Sequence, residues 1–335
     1  MTQQDKTAAT ARPDEGTGLP EGGLRSGPKS HRGRLSYLHD RTARNAAGKQ
    51  AARRVLVATR RPTSPARMLP SFLIVGAQRC GTTSMSRTLA EHPAVFSAVL
   101  HEEVHYFDSA YDRGLGWYRS HFPLSAAARR GARAAGLSPM AFESSPYYLF
   151  HPLAARRIAR ELLSVKLLVL LRDPVERAYS GHAHEVAHGY EREPFERALE
   201  LEQSRLEGEE ERIMADPAYC SFSHQHHSYR ARGEYVRQLE RLERYFGRDR
   251  IHIVDSGADP APAYERVLEF LGLPNRGHPA FPHRNARPRS PMPASVRATL
   301  EEHFRPHDER LQSWLGHEPS WRRGRSSELT AGGPN

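Results

Sequence analysis

Phe72-Leu-Ile-Val-Gly-Ala-Gln-Arg-Cys-Gly-Thr-Thr-Ser84 is the stretch on which the fold turns. Phe72 to Val75 is a continuous apolar run that ends in Gly76, as a strand buried in a parallel sheet does. Thr82 to Glu91 then takes a helical period, with Met85, Leu89 and Ala90 on its apolar side. The turn between them is where the bare N–H groups of a helix start face an anion. Its spacing matches the triphosphate pattern G-x4-G-K-[ST], but Thr82 stands in place of the lysine and the cation moves back to Arg79. The loop therefore reads as phosphate-binding, through Arg79, Cys80, Gly81, Thr82, Thr83 and Ser84. Without the lysine it lacks the β/γ-phosphate contact of a triphosphate-hydrolysing enzyme.

The same alternation continues outward. Ala94–Ala98, Met140–Glu143, Lys166–Leu171 and Ile251–Val254 read as strands. His151–Leu163, Tyr229–Phe246, Ala263–Leu271 and Ala294–Leu315 read as helices, and Pro174 opens another as an N1 proline. The expected fold class is α/β, a three-layer, P-loop-like parallel sheet flanked by helices. After the strongest strand comes Leu171-Arg-Asp-Pro-Val-Glu-Arg-Ala-Tyr-Ser180. Arg172 falls at the carboxyl end of a strand, where such sheets bind ligands, and Ser180 on the second turn of the next helix. Together they can hold a second phosphate, a guanidinium beside a hydroxyl. Two phosphate sites at two strand ends suit a nucleotide carrying phosphates on both sides of its ribose.

Composition narrows the class. No apolar run approaches the roughly 18 residues of a membrane span, and none in the first 70 residues resembles a signal segment. Cys80 and Cys220 allow at most one bridge, which excludes a disulfide scaffold and fits a cytoplasmic location. The net charge of +10 is concentrated at one end: residues 1–70 hold 14 basic groups against five acids. Residues 1–67, rich in Gly, Pro, Ser and Arg, read as a disordered basic arm, or as an upstream extension if translation starts at Met68. Tyr37 is the only aromatic among those arginines, so a stacking surface for nucleic acid is not expected. The expected folded domain is 68–318, with 319–335 as a disordered tail.

The ordered set FLIVGAQRCGTTS, EEVHYFD, GLGWYRSHFP, ESSPYY and LLVLLRDPVERAYS resembles the sulfotransferases that use 3′-phosphoadenosine 5′-phosphosulfate, nearest the heparan sulfate N- and O-sulfotransferase branch. The resemblance covers about residues 70–275. It implies that the first loop holds the 5′-phosphosulfate, that Arg172 and Ser180 hold the 3′-phosphate, and that Glu103 is the catalytic base. Arg79 would then stabilise the leaving group, His105 would assist Glu103 or orient the acceptor, and no metal would be required. His184 and Tyr147 are expected to touch the acceptor, a glycan, lipid or small metabolite. Two departures remove positive charge from the cleft: Glu102 stands where many relatives carry lysine before the base, and so does Ser144 in Glu143-Ser-Ser-Pro146. Asn285, Arg287 and Arg289 are candidates for contacts beyond residue 275.

Two alternatives accompany this reading. His184-Glu-Val-Ala-His188 matches H-E-x-x-H, the zinc-protease signature, with a third ligand available from Glu209–Glu211. The loop could also belong to a kinase variant. Ser223-His-Gln-His-His-Ser228 reads as a mobile polar loop on the acceptor side rather than a metal site.

Overall fold

The computed structural model describes residues 51–100, 103–257, 259–277 and 291–323. The chain divides into two units, Met1–Ala52 and Arg53–Asn335, and the fold described is that of the second. Five strands form one sheet: β1 (Phe72–Gly76), β2 (Val95–Ser97), β3 (Met140–Ser144), β4 (Lys166–Leu171) and β5 (Ile251–Asp255), in the order β2-β3-β1-β4-β5. Every pairing is parallel. β1 is wholly buried at the centre, which is why its sequence runs apolar without alternation.

Residues 53–60 are helical, and the helices that follow β1 are α1 (Thr82–Ala90), α2 (Leu115–Arg119), α3 (Ser125–Arg133), α4 (Ala154–Glu161), α5 (Pro174–His188), α6 (Phe195–Leu206), α7 (Glu209–Ala215), α8 (Phe222–His226), α9 (Tyr235–Phe246), α10 (Pro260–Leu271) and α11 (Ala294–Leu315). α1 packs against β1, β2 and β3, and α9 and α10 pack against β5. A second apolar cluster joins Val175 and Ala178 of α5 to Phe195, Leu199, Leu300 and Phe304. Because β1 and β4 are neighbours and parallel, the loops that follow them emerge side by side at the carboxyl edge of the sheet.

The differences from expectation have identifiable causes. The helix expected from Tyr229 starts only at Tyr235, because the Glu202 carboxylate accepts hydrogen bonds from the Arg230 and Ala231 amides and turns the chain there. The polar stretch at 223–228 is not a mobile loop: Phe222–His226 is a helical turn whose start is capped by Ser221 Oγ, accepting from His224 N at 3.0 Å.

The folded unit also begins before residue 68. Arg61–Ala66 forms a 3-10 helix, Arg67 is buried, and Arg60 and Arg67 both donate to the Phe122 carbonyl. Two of the arginines that made the arm look like solvated charge serve as hydrogen-bond donors to a loop. At the other end, Ser320 bonds to Asp255 and Trp321 Nε1 donates to Asp308, so the fold runs past residue 318. Residues 1–50 and 324–335, which hold the rest of the expected arm and tail, lie outside the described residues.

Candidate active site

At the carboxyl edge of β1 and β4 lies a cleft of about 840 Å³. Arg79–Ser84, Glu103, His105, Tyr147, Arg172, Ser180 and His184, the residues singled out in the sequence, all line it. Gly81 is the N-cap of α1 at φ +87°, a left-handed conformation that a glycine adopts without strain. Having no side chain, it leaves the first amides of α1 to face whatever occupies the loop. The Cys80 thiol turns inward, 3.7 Å from Tyr235 Oη, and burial pushes its pKa up to about 11. Only the main chain of Cys80 can therefore serve an anion.

The two segments expected to bind anions touch. Arg79 Nε donates to Ser180 Oγ at 3.1 Å. Arg172 follows β4, its carbonyl accepts from Tyr235 Oη at 2.9 Å, and its guanidinium lies 3.4 Å from Glu176. Asp173 caps α5 by accepting from Val175 N, with Pro174 at the first position. These cations, hydroxyls and helix starts suit a nucleotide with separated phosphates.

Opposite them, His105 is held between two carboxylates. Its Nε2 is 3.0 Å from Glu103 Oε2 and its Nδ1 is 2.7 Å from Asp108 Oδ2. Both partners are acceptors, so both ring nitrogens must donate and the ring is an imidazolium. Burial alone would lower the His105 pKa, but Asp108 and then Glu103 outweigh it and hold it well above the usual value. Asp108, fully buried and bonded also to Ser109, stays below the usual carboxylate range through His105.

A buried acid supports this segment from beneath. Ser145 Oγ donates to Glu143 Oε2 at 2.7 Å while accepting from the Val104 and His105 amides at 3.1 Å each. Tyr148 Oη accepts from the Tyr106 amide at 2.8 Å. The string Glu143-Ser-Ser-Pro-Tyr-Tyr148 is thus the mount of the Glu103–His105 turn.

The third wall joins the loop after β1 to α5 and α8. Arg232 NH1 donates to Gln78 Oε1 at 2.7 Å, and Gln78 Nε2 donates to Glu185 Oε1 at 3.3 Å. Glu185 Oε2 pairs with His226 Nδ1 at 2.9 Å. Arg232 also stacks over Tyr147 and Phe150, and burial lowers its pKa to about 10. Tyr147 Oη shares a hydrogen bond with His224, which burial and Arg232 keep neutral. At the mouth, Tyr190 packs against His188, Phe222 and His226, forming an aromatic rim.

The zinc reading lacks its ligands: among the described residues no third ligating side chain comes together with His184 and His188, and Glu185 is committed to Gln78 and His226. Glu209 is held by Arg212 and Tyr219, and Glu210 by Arg237 and Arg241. Glu102, Asn285, Arg287 and Arg289 lie outside the described residues. Sequence reasoning missed Asp108, Gln78, Arg232 and Ser256, which complete the cleft or its support. The spacing of Asp108 three residues after His105 was the one local signal among them.

Comparison with known proteins agrees with the geometry. A family model described as "Sulfotransferase domain" matches residues 69–285. The chain is 30% identical over 213 residues to heparan sulfate glucosamine 3-O-sulfotransferase 5 of Mus musculus and of Homo sapiens, covering 62% of this chain and 55% of each relative. The chain thus spans about half the length of these curated relatives. A sulfotransferase crystal structure from Alicyclobacillus acidocaldarius is 28% identical with a TM-score of 0.54, over 76% of this chain and 99% of that one. With the matched region covering the sheet, both anion-binding segments and the Glu103 turn, the chain belongs to the sulfotransferase domain family.

Proposed function

We propose that the protein transfers a sulfuryl group from 3′-phosphoadenosine 5′-phosphosulfate to a hydroxyl of a glycan. The observation that carries this reading is the Arg79–Ser180 contact, which unites the two anion-binding segments in one cleft with Glu103. The donor, when bound, supplies the sulfuryl group and a bisphosphate that leaves. Arg79 and the first amides of α1 receive the 5′ end, and Arg172 with Ser180 receives the 3′-phosphate. Glu103 takes the acceptor proton on Oε1 while His105 steadies Oε2. Positive charge from Arg79 and the helix start lies where negative charge develops on the departing oxygen.

The names of the relatives support a glycan acceptor, and the rim of Tyr190, Phe222 and His226 gives sugar faces flat surfaces to lie against. Serine at position 144 and glutamate at 102, where many relatives carry lysine, favour a glycan of low charge density.

The test is calorimetric titration with adenosine 3′,5′-bisphosphate beside ADP and ATP, with EDTA present, followed by turnover with labelled donor over neutral, sulfated and phenolic acceptors. Tight binding of the bisphosphate alone and labelling of a glycan support the proposal. Preference for ATP overturns the donor, and labelling confined to phenols overturns the acceptor.

A further inference from the structure

We propose that Glu234, His303 and His307 form a divalent-metal site of zinc type, separate from the sulfuryl-transfer cleft, that clamps α11 onto the start of α9. His303 and His307 are one turn apart on α11 and so share a face, with ring centroids 5.3 Å apart. Glu234, the N-cap of α9, presents Oε1 between them, 3.4 Å from His303 Nε2 and 3.9 Å from His307 Nε2. All three ligand atoms lie within 4.8 Å of one another. A tetrahedral ion with metal–ligand bonds of about 2.0–2.1 Å separates its ligands by about 3.3 Å, so the cluster needs little closing to take one.

The bonding of the cluster points the same way. His303 Nε2 is buried with no hydrogen-bond partner, although the carboxylate is near. An imidazole aimed at a point it shares with the carboxylate, rather than at the carboxylate itself, has this arrangement. The neighbouring cations are engaged elsewhere, Arg237 with Glu210 and Arg310 with Glu240. Two imidazoles and one carboxylate make the borderline donor set that zinc takes with a water in its fourth position.

The frame around the cluster is stiff. A Cβ on Gly233 would lie 2.6 Å from the fully buried Phe304 ring, so the chain bearing Glu234 is pressed against the helix bearing both histidines. None of the three ligands lines the cleft. The link to it runs along the chain: Arg232, two residues before Glu234, holds Gln78 of the donor loop. The ion would therefore act as a clamp, fixing the segment that carries Arg232.

The experiment uses the untagged full chain, stripped by chelator and titrated with Zn²⁺ and with Co²⁺ as a spectroscopic probe. The expected result is one equivalent bound, visible-region Co²⁺ bands of a four-coordinate site, and a higher Tm with Zn²⁺. His303→Gln and Glu234→Gln, each checked for native circular dichroism, are expected to lose the bands. A His184→Gln/His188→Gln variant is expected to keep them. Absence of the bands in the parent protein, or their survival in His303→Gln or loss in the His184/His188 variant, overturns the site. Bisphosphate affinity is read separately, so failure of the metal site is distinguishable from failure of the proposed transferase activity.

Discussion

Arg79 Nε and Ser180 Oγ, 101 positions apart in the chain, are joined by a hydrogen bond of 3.1 Å. The turn after β1 and the second turn of α5 are therefore one surface, and an anion held by either is felt by the other. On the proposed reading the 3′-phosphate falls to Arg172, which follows β4. A hydrogen bond to a charged group contributes about 1.5–3 kcal/mol, so Arg172→Ala is expected to weaken adenosine 3′,5′-bisphosphate by about 10- to 100-fold. Affinity for adenosine 5′-phosphate should change little. Calorimetry on both nucleotides checks this, and an equal loss for the two would remove Arg172 from the 3′ side.

Glu103→Gln keeps the shape of the turn and the contact to His105 but cannot take a proton. Its kcat is expected to fall by about 10²–10⁴-fold with donor affinity unchanged. Single-turnover rates with labelled donor, set beside bisphosphate titration, separate the two quantities. Full activity would remove Glu103 from the role of base.

The ion pair of His105 and Asp108 makes a prediction about pH. Because the His105 pKa is raised, its stabilisation is full below the usual histidine value of 6.5 and is lost as pH rises through the raised one. The lowered pKa of Asp108 contributes above the usual 3.8 and is lost as pH falls through the lowered one. Asp108→Asn is expected to bring the His105 titration back toward 6.5 and to reduce kcat without altering donor affinity. Imidazole proton shifts followed by NMR report the titration, and an unmoved midpoint would count against the pair.

Glu143 behaves as the opposite kind of acid. Burial raises its pKa from the usual 4.5 to about 7, despite hydrogen bonds from Ser145 and Tyr148. The folded state thus holds a proton that the unfolded chain has released, and stability contributed by this group falls as pH rises from about 4.5 to about 7. Glu143→Gln, which never ionises, is expected to flatten that part of the profile. Urea midpoints measured across the interval test it; an unchanged slope would assign the proton to another group.

The sheet and the two loops that follow β1 and β4 were legible because they are written locally. Phe72–Val75 and Leu167–Leu171 are continuous apolar runs, and Gly81 and Pro174 mark the helix starts that follow them. The supporting network was not legible because its partners are distant. Glu185 sits in a five-residue string that reads as a zinc motif, yet its carboxylate meets Gln78, 107 positions away, and His226, 41 away. Arg232 is one arginine in a chain where only four of 49 basic residues are lysines, and nothing adjacent marks it. The ends misled for a related reason: Arg60 and Arg67 register as charge in a composition count, whereas in the fold they serve a single carbonyl.

The excursion between β4 and β5 has a closed base. Glu191 accepts from Tyr229 Oη at 2.8 Å and pairs with Arg205, while Glu202 binds the main chain at Arg230 and Ala231. α6 carries Glu202 and Arg205, and between it and Tyr229 lie α7 and α8, including Phe222 and His226 of the rim. The segment is thus built as a cassette: a replacement that keeps the clasps could bring a different rim while leaving β4, Arg172 and Ser180 intact. Swapping residues 207–228, which leaves Glu191, Glu202, Arg205, Tyr229 and Arg230 in place, is then a route to exchanging the rim without rebuilding β4, Arg172 and Ser180.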